Sequence, residues 1–211
     1  MKEKTALLIV DVQNDFCPGG SLAVPDGDKV VEPINRAIEK ANTEGRLIVF
    51  SRDWHPKETN HFKTYGGHWP EHCVQGTKGA EFHTELKLPT FPLADTFIIS
   101  KGEKKDEDAY SAFQGIYRLS KVTNDFYTLD FYTLHGLLLN KKIEEVFVAG
   151  LATDYCIKAT AFSALALGYK VIILIDACRA VNINPGDGEK AIEEMKAAGA
   201  NMITTEEFLK S

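Results

Sequence analysis

The stretch 145-EVFVAGLATDYCIKATAFSALALGYKVIILIDA-177 predicts a strand, a helix and a second strand in succession. Residues 145–150 and 170–177 are short, nearly continuous apolar runs, as in strands that are buried on both faces of a parallel sheet. Between them, the apolar residues of 155–169 recur at three- and four-residue spacing, which indicates a helix. Two parallel strands joined in this way form a right-handed crossover, the repeating unit of a doubly wound α/β fold.

The same alternation extends over most of the 211 residues. The periodicity of 27–45 predicts another helix, and 187–210 predicts a helix, a short strand and a helix, with Gly199 ending the first of them. Three further apolar runs predict strands, at 5–12, 46–53 and 96–101. We therefore expect an α/β fold with a doubly wound, mostly parallel sheet of about six strands and helices on both faces.

Composition excludes several classes of protein. No linker rich in proline, glycine or serine divides the chain, so we expect one domain spanning 1–211. The net charge is -6, and lysines and arginines are scattered among acidic residues, which argues against a nucleic-acid partner. No apolar run is long enough for a signal peptide or a membrane span. The four cysteines lie far apart without a CxxC pair, as expected of free thiols in the cytoplasm.

Polar residues end several of the predicted strands. In a doubly wound sheet, ligands bind beyond the carboxyl ends of the strands. Asp11, Asp53, Lys101 and the 150–156 loop occupy such ends, so we expect them to meet along one edge of the sheet. No GxGxxG motif follows the first strand and the chain has no P-loop, which leaves a nucleotide site with little support.

Two long segments interrupt the alternation, 54–93 and 102–129, and loops of this length are usually functional or disordered. The first contains five of the six histidines, which favours a function. Within the second, the charges that follow Lys101 up to residue 108 alternate in sign, a pattern typical of a solvated loop.

Three of these residues could carry nucleophilic chemistry. Asp11 would be a partly desolvated carboxylate with a raised proton affinity unless a cation lies near, and Lys101 could be that cation. Cys156 would lie in the first turn of a helix, where unpaired N–H groups lower the pKa of a thiol and can stabilise an oxyanion. Each also has an ordinary interpretation, as a turn cap, a solvent-facing lysine and a buried structural cysteine. The other three cysteines keep the structural interpretation.

The histidine-rich segment could hold a metal ion. Asp53 and His55 lie two residues apart after a strand, and His72 on a distant loop could complete a set with open coordination positions. His61 could be an additional ligand. Loops rich in histidine also occur without metal, so both interpretations stay open.

Several short motifs, taken together, are more informative than any one residue. They are 11-DVQNDF-16, 51-SRDWHP-56, 69-WPEHCVQGT-77, 99-ISKG-102, 109-AYSAF-113, 150-GLATDYC-156 and 176-DACRAV-181. This series resembles the cysteine hydrolases of the isochorismatase-like superfamily, and within it the nicotinamidase/pyrazinamidase family. The resemblance covers nearly the whole chain in order. Its most specific part is DWH together with WPEHCVQGT, because metal-free relatives lack that ligand set.

The resemblance implies a role for each site residue. Cys156 would be the nucleophile, Asp11 the general base and acid, and Lys101 the cation that orients them. The backbone N–H groups of Ala152 and Cys156 would form an oxyanion hole, next to a cis peptide bond between Leu151 and Ala152. The matched metal ligands are Asp53, His55 and His72, whereas only some members have a ligand at the position of His61. The matched pocket residues are Phe16, Trp69 and Tyr110.

The implied activity is hydrolysis of nicotinamide to nicotinate and ammonia through a thioester, in NAD salvage, with pyrazinamide as a second substrate. The implied cofactor is one divalent metal ion, Zn²⁺ first, although Fe²⁺ or Mn²⁺ would fit a similar ligand set. Two other interpretations stay open: an amidase of the same superfamily that acts on carbamoyl, ureido or vinyl ether compounds, and a metal-binding scaffold without catalysis. The sequence does not determine the oligomeric state, and a homo-oligomer stays open. It does not determine the role of 116–134 either.

Overall fold

The computed structural model describes residues 4–89, 96–123 and 126–211. The strands in these ranges are β1 Thr5–Val10, β2 Leu47–Asp53, β3 Thr96–Lys101, β4 Ile116–Thr123, β5 Phe126–Thr133, β6 Glu145–Leu151, β7 Lys170–Arg179 and β8 Asn201–Ile203. The helices are α1 Val31–Thr43, α2 Leu134–Asn140, α3 Lys158–Ala166, α4 Asp187–Ala197 and α5 Thr205–Lys210.

The described strands form one eight-stranded sheet in the order β5-β4-β3-β2-β1-β6-β7-β8. Strands β3, β2, β1, β6, β7 and β8 run parallel to one another, which confirms the predicted mostly parallel sheet. The chain runs outward from β1 to β2 and β3 on one side, and from β6 to β7 and β8 on the other. The strand order therefore reverses between β1 and β6, where doubly wound sheets bind their ligands.

The sheet has two strands more than the predicted six. Both come from the segment 116–134, whose role the sequence left open and part of which was expected to be a loop. It forms the hairpin β4–β5, which pairs antiparallel to β3 at the edge of the sheet. These strands were not predicted because an antiparallel edge hairpin mixes polar with apolar residues and so contains no continuous apolar run.

Helices cover both faces of the sheet, as predicted. Side chains alternate along β1: Leu7 and Ile9 pack with residues of α1 and α5, whereas Leu8 and Val10 pack with residues of α2, α3 and α4. Because β1 is buried on both faces, its sequence is continuously apolar. No helix in the described ranges is long and apolar enough to span a bilayer.

The first long segment, 54–93, forms an irregular loop over its described residues, unlike the second, which contributes to the hairpin β4–β5. The described part of the first contains only short 3₁₀ turns, at Lys63–Tyr65 and Lys78–Ala80, and its residues 90–93 lie outside the described ranges. It returns to the sheet at His55, which pairs with Val74. This loop therefore begins at the carboxyl end of β2 and returns to it at Val74.

Close approach between β1 and β6 depends on Gly150. Its φ is +126°, and a Cβ atom at this position would lie 2.0 Å from the carbonyl oxygen of Val10. Glycine alone combines this backbone conformation with that contact. The approach brings the 150–156 loop directly beside the residue that follows Val10, which is Asp11.

Candidate active site

The four predicted strand ends meet at one edge of the sheet. Asp11 follows β1, Asp53 ends β2, Lys101 ends β3, and Cys156 lies just after β6. Their side chains are all buried. The burial matters because charged groups removed from water must find partners within the protein.

Lys101 lies at the centre of this group. Its Nζ atom is 2.9 Å from Oδ2 of Asp11 and 3.5 Å from Sγ of Cys156, and it donates a hydrogen bond to Oδ1 of Asp53. Burial alone would lower the pKa of Lys101, but Asp11 and Asp53 together raise that pKa well above its usual value. Lys101 is also almost fully buried, which excludes the solvent-facing interpretation.

Asp11 is held by its backbone and by β2. Its φ is +51°, a left-handed conformation that non-glycine residues seldom adopt and that is often found at functional sites. The Oγ atom of Ser51 donates to Oδ1 of Asp11 at 2.7 Å, which leaves Oδ2 facing Lys101. Burial raises the pKa of Asp11, and the nearby charge of Asp53 adds to this, despite the opposing effect of Lys101. A carboxylate with a raised pKa is a better proton acceptor.

Cys156 lies in a π-helical turn, Thr153–Ile157, that leads into α3. The peptide bond between Leu151 and Ala152 is cis, as the resemblance implied. The carbonyl oxygen of Ala152 accepts hydrogen bonds from the backbone N–H groups of Tyr155 and Ile157 and so closes the turn around the thiol. Ala152 and Cys156 both line the same pocket.

The expectation that this turn lowers the pKa of Cys156 is wrong. Burial raises the pKa of the thiol well above its usual value, and Asp11 and Asp53 raise that pKa further, despite the opposing effect of Lys101. The helix start is a local feature, whereas the burial and the two carboxylates come from neighbouring strands. The thiol therefore keeps its proton at neutral pH until a base removes it.

Asp53 and three histidines form a second cluster beside the first. One ring nitrogen from each of His55, His61 and His72 lies within 4.8 Å of the others. Oδ2 of Asp53 is 3.7 Å from Nε2 of His55 and 3.8 Å from Nε2 of His72. Nε2 of His55 is buried and has no hydrogen-bond partner among the described residues. An orphaned imidazole nitrogen in such a group is what a metal site requires.

A separate acceptor contacts Nδ1 of each histidine. Nδ1 of His55 is 3.0 Å from the carbonyl oxygen of Gly102, Nδ1 of His72 is 2.8 Å from that of Pro70, and Nδ1 of His61 bonds to the carboxylate of Asp108. When Nδ1 donates, the lone pair of Nε2 is free for a metal ion.

The donor set fits a divalent metal ion. Burial lowers the pKa of His61 to about 4, and His55 and His72 add to this, so that its imidazole is in the neutral form that binds metal. Burial alone would raise the pKa of Asp53, but Lys101 and the nearby imidazoles of His55 and His72 hold that pKa well below its usual range. Neutral imidazoles and an ionised carboxylate are the ligands that Zn²⁺ and similar ions take.

An aromatic pocket opens above the two clusters. It contains about 380 Å³ of empty space, part of it open to solvent. Its lining includes Cys156 and the three predicted aromatic residues Phe16, Trp69 and Tyr110. Nε1 of Trp69 donates to the hydroxyl of Tyr110 at 2.9 Å, which fixes both rings.

Sequence reasoning missed several residues of the site. The pocket also contains Leu22, Tyr155 and Val181, apolar or aromatic side chains outside any polar pattern. Gln13 exchanges two hydrogen bonds of 2.8 Å with the backbone of Asp53 and so joins the ends of β1 and β2. Its position inside 11-DVQNDF-16 was a signal that could have found it.

The charged run after Lys101 needs a correction. It was expected to be a solvated loop, yet Gly102 and Asp108 both contact histidines of the cluster. The side chain of Asp108 is 56% exposed, so solvation and a specific contact occur together. Alternating charge in a sequence does not distinguish a purely solvated loop from one that also makes a specific contact.

This fold and site define a class: α/β proteins with a buried cysteine, aspartate and lysine beside a histidine-rich metal-type cluster. The model of the isochorismatase domain matches residues 5–207. The nicotinamidase of Escherichia coli is 41% identical over 214 residues, which cover 94% of each chain.

Two solved structures are similar as well. The pyrazinamidase of Pyrococcus horikoshii in complex with zinc is 41% identical, with a TM-score of 0.81, and the match covers 95% of this chain and 99% of that one. PnC1 from L. infantum in complex with nicotinate is 33% identical, with a TM-score of 0.79, and the match covers 98% of this chain and 95% of that one. The chain therefore belongs to the isochorismatase domain family, and within it to the nicotinamidase/pyrazinamidase family.

Proposed function

We propose that this protein is a nicotinamidase, an amidohydrolase that converts nicotinamide to nicotinate and ammonia and also accepts pyrazinamide. The observation that carries the proposal is the buried contact of Lys101 with Asp11 and with Cys156, directly below an aromatic pocket. The nicotinamidase of Escherichia coli and the nicotinate complex of PnC1 support the substrate class.

In the first half of the reaction, Asp11 takes the thiol proton while the sulfur of Cys156 attacks the carboxamide carbon. The C–S bond forms, and the carbonyl electrons move to oxygen. Backbone N–H groups of Ala152 and Cys156 hold this oxyanion. Asp11 then gives the proton to the amide nitrogen, the C–N bond breaks, and ammonia leaves a thioester behind.

In the second half, Asp11 removes a proton from a water molecule that attacks the thioester carbon. The C–S bond breaks, the sulfur regains its proton, and the acid is released. The raised pKa of Asp11, caused by its burial, suits a group that must both accept and donate a proton in each cycle. Lys101 stabilises the negative charge that forms on Cys156 after proton removal.

We propose that Asp53, His55 and His72, with His61, hold one divalent metal ion. When bound, the ion supplies a Lewis-acidic position for the ring nitrogen of the substrate, directly or through water, which orients the carboxamide. Zn²⁺ is the proposed ion, supported by the nitrogen and oxygen donors and by the zinc complex of the Pyrococcus horikoshii pyrazinamidase. Phe16, Trp69 and Tyr110 would pack around the aromatic ring.

We also propose that the protein acts in the cytoplasm, in the salvage of NAD. The support is that its four cysteines are unpaired and buried, as is usual in a reducing compartment. The single domain spanning 1–211 stays a prediction, and the oligomeric state stays open.

Ammonia release tests the proposed function. The purified protein is incubated with nicotinamide, with pyrazinamide and with a ureido compound, each with and without a chelator. We expect release from both aromatic amides and a strong loss of release with the chelator. Release from the ureido compound alone would refute the substrate class.

Two cysteine variants test the nucleophile in the same assay. Cys156→Ala should lower the rate at least about 10³-fold, because no other group can form the thioester. Cys17→Ala removes another buried thiol and should keep most of the activity. Equal rates for the two variants would contradict the role of Cys156.

A further inference from the structure

The three histidines of the metal-type cluster are anchored in two different ways. His55 and His72 contact backbone carbonyl oxygens, those of Gly102 and Pro70. His61 instead contacts the carboxylate of Asp108. Only the anchor of His61 is a side chain, so only this one can be removed by a substitution without moving the backbone.

His61 lies firmly inside the cluster. Its ring stacks on that of His55 with a centroid distance of 4.5 Å and an interplanar angle of 22°, and its centroid is 5.3 Å from that of His72. The residue is buried. An imidazole in this position can direct Nε2 at a shared ion only if its ring is held at the correct rotation.

The loop that carries Asp108 is tied to the loop that carries His61. The backbone N–H of Asn60 donates to the carbonyl oxygen of Lys105 at 2.9 Å, and Oγ1 of Thr59 donates to the same oxygen at 3.0 Å. Nδ2 of Asn60 donates to Oδ1 of Asp106 at 2.8 Å. The two bonds to the carbonyl oxygen of Lys105, which do not involve the exposed side chain of Asp106, hold the two loops together and keep Asp108 beside His61.

We propose that Asp108 is a positioning residue that holds His61 as a fourth protein ligand of the metal ion. Its carboxylate accepts a hydrogen bond from Nδ1–H of His61, which fixes the tautomer, orients the ring and makes Nε2 a stronger electron-pair donor to the metal ion. The inference rests on the proposed metal site. It reaches beyond the proposed function because it assigns a role to a half-exposed carboxylate that does not itself line the substrate pocket.

The test measures zinc affinity directly. Protein stripped with a chelator is titrated with Zn²⁺ in competition with a chromophoric chelator. Asp108→Ala should weaken zinc binding by about 10- to 100-fold, the usual effect of losing such a partner. Asp106→Ala is the matched control. It removes the same charge from the same loop, but the lost carboxylate contacts Asn60 and not a histidine of the cluster. It should leave the affinity unchanged within about twofold, because exposed charges act weakly through water.

A double substitution separates positioning from a general loss of charge. His61→Ala should also weaken zinc binding, and Asp108→Ala should have no further effect in the His61→Ala background. Additive losses, an unchanged affinity in Asp108→Ala, or an equal loss in Asp106→Ala would each overturn the proposal.

The measurement also keeps this proposal apart from the proposed function. Ammonia release is assayed separately, so the enzyme can prove to be a nicotinamidase while Asp108 proves irrelevant. An absence of zinc binding in every variant and in the unmodified protein would refute the metal site and this inference together, whatever the amidase assay gives.

Discussion

Asp11 and Asp53 both contact Lys101, but the cation affects them differently. The pKa of Asp53 lies well below its usual range, since Lys101 and two histidines together overcome its burial. The pKa of Asp11 is raised, since Lys101 and Ser51 do not overcome burial and the repulsion from Asp53. Asp53 thus stays ionised, as a metal ligand must, whereas Asp11 can exchange a proton. Two aspartates on neighbouring strands therefore acquire opposite shifts in pKa from their surroundings.

Cys156 should be a slow target for alkylation in the substrate-free protein. Burial raises the pKa of its thiol well above the ordinary value, so little thiolate exists at neutral pH. We expect iodoacetamide to label Cys156 more slowly than free cysteine at pH 7, and the rate to rise about tenfold per pH unit up to pH 9. Mass spectrometry of the peptide that contains Cys156 measures the rate.

The control for this labelling is Cys17. Its pKa is raised to about 11 by burial and by Asp28, so its rate should follow the same slope with pH. Faster labelling of Cys156 than of free cysteine at pH 7 would show a preformed thiolate paired with Lys101. This result would mean that the pKa of Cys156 is lowered, as its position at the start of a helix predicts.

At the scale of elements, the end of β3 and the segment after it contribute residues to the lysine-centred cluster and to the histidine cluster. Lys101 ends the strand, and Gly102 and Asp108 anchor His55 and His61. Tyr110, a few residues further on, forms part of the pocket wall. Gly102 has a φ of +66°, and a Cβ atom there would lie 2.4 Å from Cε1 of His55. A glycine is needed for its carbonyl group to reach the histidine.

The contact between β1 and β6 predicts an asymmetry between two glycines. Gly150→Ala should destabilise the protein by about 3 kcal/mol or more, because its Cβ would strike the backbone of Val10 and its φ is strained for alanine. Gly168→Ala, at φ +86° with nothing within 4 Å of the added Cβ, should cost only about 1 kcal/mol for the backbone strain. Urea unfolding with linear extrapolation measures both. Equal losses would show that strain alone, without the contact, decides the cost.

At the scale of the whole molecule, the metal-type cluster joins the end of β2 to the long loop that follows it. Asp53 and His55 belong to the end of β2, whereas His61 and His72 lie on the long loop that follows. An ion bound there would connect this loop to the sheet in the folded state only. Metal binding and folding should therefore be linked.

This linkage predicts a change in thermal stability on metal removal. At about 1,000 times the dissociation constant, an ion that binds only the folded state adds about 4 kcal/mol, or about 10 °C in Tm for a protein of this size. We expect a chelator to lower the Tm by this order in the unmodified protein. The Tm of His72→Ala, which lacks a proposed ligand, should barely respond. If the chelator lowered the Tm of both proteins by a similar amount, the stabilising ion would have to bind somewhere other than this cluster.

The parallel strands and the residues at their ends could be predicted because both depend on local patterns. A strand buried on both faces must be continuously apolar, and the polar residue that ends it marks the edge where ligands bind. The hairpin β4–β5 was missed because an edge strand imposes no such pattern. Leu22 and Val181 were missed because an apolar side chain has the same sequence signature in a pocket as in the core.

The sequence by itself determined the class of fold, the family and the residue types of both clusters, because apolar periodicity and motif order are properties of the chain alone. Tertiary structure decided what each group is able to do. The proton affinities of Asp11 and Cys156 depend on burial and on charges that come from three neighbouring strands. The contact of Asp108 with His61 joins two loops that are separate in sequence. Free energies of this kind depend on distances through space, which only the folded chain defines.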